Sequence, residues 1–268
     1  MSFSPDDKGN DGTQAIRRAA AILQRIARVT GDSEPTLTEI STSMGLSRST
    51  THRILKSLVD TGLASYDPAN RRYGIGLLSY ELGLAVTDAL SSVVQWQSVV
   101  DRIAQRTEST TYLMRRSGIE AVCVYKADGT SLVRVMPVKL GQRRYLGVGA
   151  GATALLATLD DRTIVRMLAS IESELAQYSD LSAQSILDEI AAARKTGFAI
   201  SRGRVYASIF GMGAVVPYAD RTPEYAVSIA VHKSEVTDAR VEAWKKIITE
   251  ELKLPRPQRG ALVSDMVR

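Results

Sequence analysis

Between Leu37 and Leu55 the chain reads Leu-Thr-Glu-Ile-Ser-Thr-Ser-Met-Gly-Leu-Ser-Arg-Ser-Thr-Thr-His-Arg-Ile-Leu, and this segment limits the N-terminal fold to two short helices around a glycine turn. Leu37, Ile40 and Met44 recur at helical spacing. Gly45 can take the left-handed conformation that ends a helix, and Ser47 can cap the next one by accepting a hydrogen bond from a free backbone N–H. On the second helix Thr51, Ile54, Leu55 and Leu58 share one face, which leaves Ser49, His52, Arg53 and Lys56 on the other, flanked by Arg48 and Thr50. Such groups bond phosphates and base edges, and an Arg on a helix in the major groove can take guanine O6 and N7 together.

The flanks extend this pattern. Upstream, Ile16, Ala19, Ala20, Leu23 and Ile26 mark an amphipathic first helix. Downstream, Leu63-Ala64-Ser65-Tyr66, the turn residues Asp67-Pro68-Ala69-Asn70, and Arg71-Arg72-Tyr73-Gly74-Ile75 read as a hairpin. Three helices and a basic-edged hairpin predict a winged helix-turn-helix over residues 13–76, with Ser47, Arg48, Ser49, Thr50, His52, Arg53, Lys56, Arg71 and Arg72 as its DNA-facing groups. These residues alone also suit a winged helix that binds RNA or another protein.

With those segments in place, the chain resembles the IclR family of bacterial transcription regulators over nearly its whole length. The family's Leu-Thr-x-x-Ile helix, its Gly-Leu-Ser-x-Ser-Thr recognition helix and its Tyr-x-x-Gly hairpin end correspond to Leu37 to Ile40, Gly45 to Leu55, and Tyr73-Gly74-Ile75-Gly76. Leu140-Gly141-Gln142, Gly149 to Ala157, Thr196-Gly197-Phe198-Ala199 and Ala214-Val215-Val216-Pro217 follow in the order of the family's effector-domain landmarks. The resemblance implies an α+β chain: an arm of residues 1–12, the winged domain, a linker helix over 77–91, a GAF/PAS-like effector-binding domain with an antiparallel sheet over 92–254, and a tail over 255–268. It implies a regulator, repressor or activator, whose affinity for an operator of paired half-sites responds to a small organic metabolite. A homodimer or a dimer of dimers is the expected assembly.

Composition is consistent with this reading. Length 268 suits two domains, and 44% hydrophobic residues suffice for two cores. The net charge of +5 permits an acidic partner, but residues 1–75 hold 10 Lys and Arg against 8 Asp and Glu, so the local cluster Arg48, Arg53, Lys56, Arg71 and Arg72 matters more than the total. One cysteine, Cys123, and two histidines provide neither a disulfide nor a zinc cluster, and no apolar run is long enough to span a bilayer. A cytoplasmic protein without metal or cofactor is expected.

Leu78, Leu82, Ala85, Ala89 and Leu90 mark one face of the linker helix, and Trp96, Val100, Ile103 and Ala104 mark a second helix. The first stripe suits either a core or a dimer contact. Beyond Thr110 come short β-rich runs at Thr110 to Arg115, Ala121 to Lys126, Leu132 to Val135, Phe198 to Ser201, Phe210 to Tyr218 and Tyr225 to His232. Between and after them lie helical stretches at Ala152 to Leu159, Thr163 to Leu168, Ser182 to Lys195 and Thr237 to Leu252, with Ser182 and Thr237 as caps.

Gly149-Ala150-Gly151-Ala152 opens a helix with almost no side chain, so its backbone N–H groups can face a carboxylate; small residues at such a junction equally serve close packing. No Lys-Ser/Thr phosphate-loop ending follows. By resemblance, Ser201, Ile209, Gly211, Ser228 and Ala230 join this loop around the effector. The chain departs from the family at Thr153, where Lys is usual, and at Ser201, Gly203 and Arg204, where acidic residues are usual, so Arg202 and Arg204 suit an anionic effector or simple solvation. An enzyme is not expected: no Gly-x-Ser-x-Gly elbow, His-x-x-x-His pair or dinucleotide glycine motif occurs, and Cys123 sits in an apolar strand run as an inert thiol.

Overall fold

The computed structural model describes residues 11–28, 34–131, 135, 137–178, 180–217 and 223–253. Of the expected arm over 1–12, residues 1–10 lie outside them, while Asp11 and Gly12 already belong to a helix; the tail from 255 and positions 132–134 of the expected Leu132 to Val135 strand also lie outside. The chain divides into two compact units, one of residues up to Thr87 with the short segment Gly141–Arg144, the other the remainder.

In the first unit, α1 (Asp11–Ala27), α2 (Leu37–Met44) and α3 (Arg48–Asp60) precede the hairpin β1 (Ala64–Asp67) and β2 (Arg72–Ile75). Ile22, Ile26, Ile40, Leu55, Leu58, Ala64 and Tyr73 form its core. Ile16 and Ala20, expected on the buried stripe of α1, are exposed, and Ile22 and Ile26 are its buried residues. Thr36 and Glu39 close a capping box at the start of α2, the Thr36 amide donating to Glu39 Oε2 at 2.7 Å, and these bonds hold the Glu39 carboxyl below its ordinary range. Gly45 ends α2 at φ +60°, donating to the Ser41 and Thr42 carbonyls, and the Leu46 amide returns to Ser41.

The expected linker helix over 77–91 is two helices. α4 (Leu77–Leu84) stops and α5 (Thr87–Thr107) begins, running on through the proposed boundary at 91 and 92. The Ala85 and Val86 amides bond three residues back, to Leu82 and Gly83, and this tightening ends α4. Apolar spacing continues across the break, which is why the sequence reads as one helix.

The second unit carries β3 (Thr110–Ser117), β4 (Glu120–Ala127), β6 (Ala199–Arg202), β7 (Ile209–Val215) and β8 (Tyr225–His232) of a six-stranded sheet in the order β5-β4-β3-β8-β7-β6, whose edge strand β5 (Arg143–Tyr145) spans the boundary at Arg144. The β3–β4, β3–β8, β6–β7 and β7–β8 pairs are antiparallel. Strand alternation sends Tyr112, Met114, Cys123, Ala199, Ala226 and Ala230 into one core, shared with α6 (Ala150–Leu156), α7 (Asp161–Ser170), α8 (Glu172–Leu175) and α9 (Ala183–Thr196). The other face packs Leu113, Phe210, Met212, Val227 and Ile229 against Trp96, Val100 and Ile103 of α5 and Trp244 and Ile248 of α10 (Asp238–Lys253). Across those two helices buried Glu251 accepts from Arg102 at 2.6 Å and Arg106 at 2.8 Å. The two arginines outweigh the desolvation that opposes them and hold its carboxyl low. Ser182 and Thr237 cap α9 and α10 as expected. The sequence reading omits β5 and α8, elements of three and four residues too short to show periodicity.

Candidate nucleic-acid interface and effector face

The second helix of the turn motif presents the groups that spacing assigns to it. Thr51, Leu55 and Leu58 are buried and Ile54 is half-buried, while Arg48, Ser49, His52, Arg53 and Lys56 are exposed. The helix is aimed by its cap: Ser47 Oγ accepts from the Thr50 amide at 3.2 Å and donates to Thr50 Oγ1 at 2.9 Å, and Thr51 Oγ1 donates to the Ser47 carbonyl at 3.1 Å. Ser47 and half-buried Thr50 therefore use their hydroxyls on one another, and the cationic stripe is left to Arg48, Arg53 and Lys56.

On the wing the two arginines diverge. Arg71 is exposed at the tip with φ +54°, in a turn where Asp67 accepts from the Ala69 amide at 2.9 Å and the Asn70 side chain at 2.7 Å. Arg72 is half-buried and donates to the Glu34 carbonyl. Around it the Tyr73 amide donates to the Pro35 carbonyl at 3.0 Å, and Thr36 forms an isolated antiparallel bridge with Arg72. The sequence reading missed this bridge, because two residues leading into a helix carry no alternation. Exposed Tyr66, its ring 4.8 Å from that of Tyr73, also stands on the wing and was not among the expected contacts.

A difference in salt response should follow. Arg71→Ala is expected to flatten the slope of log affinity against log salt by about one unit, as removal of a single cation from a phosphate does. Arg72→Ala should leave that slope unchanged and lower stability by about 1 kcal/mol, the net worth of a hydrogen bond. Salt titrations by fluorescence anisotropy, with melts of each variant, check this; equal slopes for the two variants would refute the division of roles.

In the second unit the register brings the expected effector residues onto one face. Ser201 pairs with Gly211, Gly211 with Ala230 and Ala230 with Thr110, and the neighbouring row is Gly213, Ser228 and Tyr112. The first turn of α6 is seated on these rows. A Cβ on Gly211 would lie 3.3 Å from Ala150 Cβ, and one on Gly151 would lie 2.9 Å from both Ser228 Oγ and Met114 Cγ. Gly149 precedes the helix at φ +91°, and Ala150, Gly151, Ala152 and Thr153 are all buried. Close packing is thus one reason for the small residues here. Thr153 donates to the Gly147 carbonyl at 3.1 Å, bracing the loop from within.

Two polar groups on this face stand out. Ser201 and Ser228 are 7% and 9% exposed, polar side chains among the small residues of this face. Met114 and Gly213 belong to the same face and were missed, although Gly211-x-Gly213 inside a strand is a sign of close backbone approach.

Comparison with known proteins covers both halves of the chain. Residues 15–68 match the IclR helix-turn-helix domain, and residues 85–252 match the bacterial transcriptional regulator IclR C-terminal domain. The chain belongs to the IclR family. It is similar to the HTH-type transcriptional regulator KipR of Bacillus subtilis, with 27% identity over 219 residues, 81% of this chain and 85% of that protein. Among solved structures it resembles an IclR transcriptional regulator from Alicyclobacillus acidocaldarius, with TM-score 0.68, 22% identity, and 90% and 96% of the two chains covered. It also resembles an IclR homolog from Microbacterium hydrocarbonoxydans complexed with 4-hydroxybenzoate, with TM-score 0.63, 16% identity, and 88% and 97% covered. This IclR-family chain is a transcriptional regulator with a helix-turn-helix DNA-binding domain, and its relatives are regulators rather than enzymes. Among the described residues, no helix is long and apolar enough to cross a membrane.

Proposed function

We propose that this regulator reads its operator with the exposed face of α3, chiefly Arg48, Ser49, His52, Arg53 and Lys56, while Arg71 at the wing tip contacts phosphate. The observation that carries this reading is the segregation on α3, where Thr51, Leu55 and Leu58 are buried and every long cationic side chain faces solvent. The protein acts as a homodimer. α4 supports this, since Leu77, Tyr80, Leu82 and Leu84 are 69%, 63%, 54% and 57% exposed, an apolar surface suited to a second copy. Paired half-sites then meet two recognition helices.

The second unit binds a small organic effector, a carboxylic acid, beside the first turn of α6, at the sheet face holding Ser201, Ile209, Gly211, Ser228 and Ala230. The buried polar side chains of Ser201 and Ser228 support it, as does the 4-hydroxybenzoate, a small carboxylate, held by a homolog of the same fold. The effector alters operator affinity by binding the DNA-competent and DNA-incompetent arrangements unequally. No catalytic role is assigned to these groups.

A thermal-shift screen of small carboxylic acids tests the effector site. At a hundredfold excess over its dissociation constant a ligand of the folded state adds about 2.7 kcal/mol of stability. Ser201→Ala and Ser228→Ala remove hydroxyls without adding bulk, and each should weaken a true hit roughly tenfold, for a hydrogen bond to a charged group removed. A hit unaffected by both changes places the ligand elsewhere.

A further inference from the structure

Helix α9 buries Ile186, Ile190 and Ala193, and with them one carboxylate, Glu189, whose side chain is 9% exposed. Its Oε1 is shielded from solvent and has no hydrogen-bond partner. Arg204 Nε lies 3.2 Å away, an ion pair without hydrogen-bond alignment. Arg204 belongs to the 203–208 segment joining β6 to β7, entered through Gly203 at φ +83°.

Among the described residues, the other charged side chains of the adjoining elements are exposed. On β6, Arg202 lies over the ring of Phe210, which packs in the core on the other face of the sheet. α6 carries no charged residue, and Asp188, Arg194 and Lys195 of α9 are exposed. Lys233, at the end of β8, lies against Gly203, next to Arg204. The charged group that acts on Glu189 is Arg204. Burial pushes the Glu189 carboxyl up to about 7, and the arginine pulls it only part of the way back.

We propose that Glu189 and Arg204 form a proton-sensitive latch that ties the 203–208 segment to α9. That segment leads from Ser201 to Ile209, so the latch borders the effector face, yet it stands whether or not an effector binds there. When Glu189 is ionised, it holds Arg204 and the segment is fastened. When it is protonated, the neutral acid stays buried and the arginine is released.

Two trends of opposite sign follow. Because the folded-state value lies above that of an unfolded glutamate, protonation favours the fold: the stabilisation is complete below the unfolded value and is lost as pH rises through about 7. Protection of the 203–208 segment, in contrast, should increase over the same rise. A merely structural contact would not link the two.

The test follows thermal midpoints and backbone hydrogen exchange, corrected for intrinsic rates, from pH 5 to 8.5 on the full chain, its Glu189→Gln variant and its Arg204→Ala variant. The wild-type midpoint should fall by several degrees through neutral pH, while exchange at 203–208 slows severalfold. Glu189→Gln should remove that fall, and Arg204→Ala should move it to higher pH. An NMR titration of the Glu189 carboxyl carbon in the unaltered protein needs no variant and should centre near neutrality. A carboxyl that titrates below pH 5.5, or exchange at 203–208 that ignores pH, would overturn the latch.

Discussion

Gly213→Val is expected to lower the melting temperature of the second unit by roughly 6–12 °C, the equivalent of about 3 kcal/mol in a domain of this size. A Cβ at 213 would lie 2.8 Å from the carbonyl carbon and oxygen of Ala150 and 2.9 Å from the Gly151 nitrogen. Those are backbone atoms of α6, which cannot turn aside as a flexible side chain would. Either α6 lifts from the sheet, parting Gly151 from Met114 and Ser228, or β7 buckles. Gly83→Ala is the comparison, since a Cβ there meets nothing within 4 Å and an exposed helical glycine gains about 0.5–1 kcal/mol on becoming alanine. Calorimetry of the two variants decides the matter. If Gly213→Val melts within a degree or two of the unaltered protein, α6 is free to slide and is not what holds the effector face in shape.

Arg53→Ala should weaken operator binding by about 1–3 kcal/mol, roughly five- to 150-fold, while the melting temperature stays unchanged. The affinity falls because a guanidinium on the groove-facing side of α3 no longer meets its base or phosphate partner. The fold survives because Arg53 is exposed and the helix is held by Thr51, Leu55 and Leu58 from its other side. Gel shifts on operator and on random duplex separate the two kinds of contact: a base contact costs affinity on the operator alone, a phosphate contact on both. Full affinity of a folded Arg53→Ala protein would remove α3 from the interface.

Much of the DNA-binding half is legible in the primary structure because its signals are local. Gly45 at a left-handed cap, Ser47 one turn ahead of buried Thr51, and the spacing of Leu55 and Leu58 are properties of neighbouring residues. Helical spacing is a property of residues three and four apart. The roles of Arg71 and Arg72 are not local. Adjacent in sequence and identical in chemistry, they part because the Glu34 carbonyl, 38 residues upstream of Arg72, returns to the wing and takes one of them. The end of α4 is hidden for a related reason, since apolar residues continue at helical spacing past Leu84 while the backbone has already tightened at Ala85.

In the second half, chain order and chemistry determined the kinds of element, their rough limits and the capping residues, because strands and helices announce themselves by period and by the residues at their ends. They also marked Gly149 to Ala152 as a place where the backbone comes close to something. What it approaches was decided by tertiary structure alone. Ser201, Gly211 and Ala230 lie in one row only because β6, β7 and β8 pair in a particular register, and a slip of one residue would turn every one of them to the other face. Glu189 likewise reads as an ordinary helical glutamate; its burial beside Arg204 arises when α9 folds onto β6, since desolvation is set by everything packed around a group rather than by its neighbours in the chain.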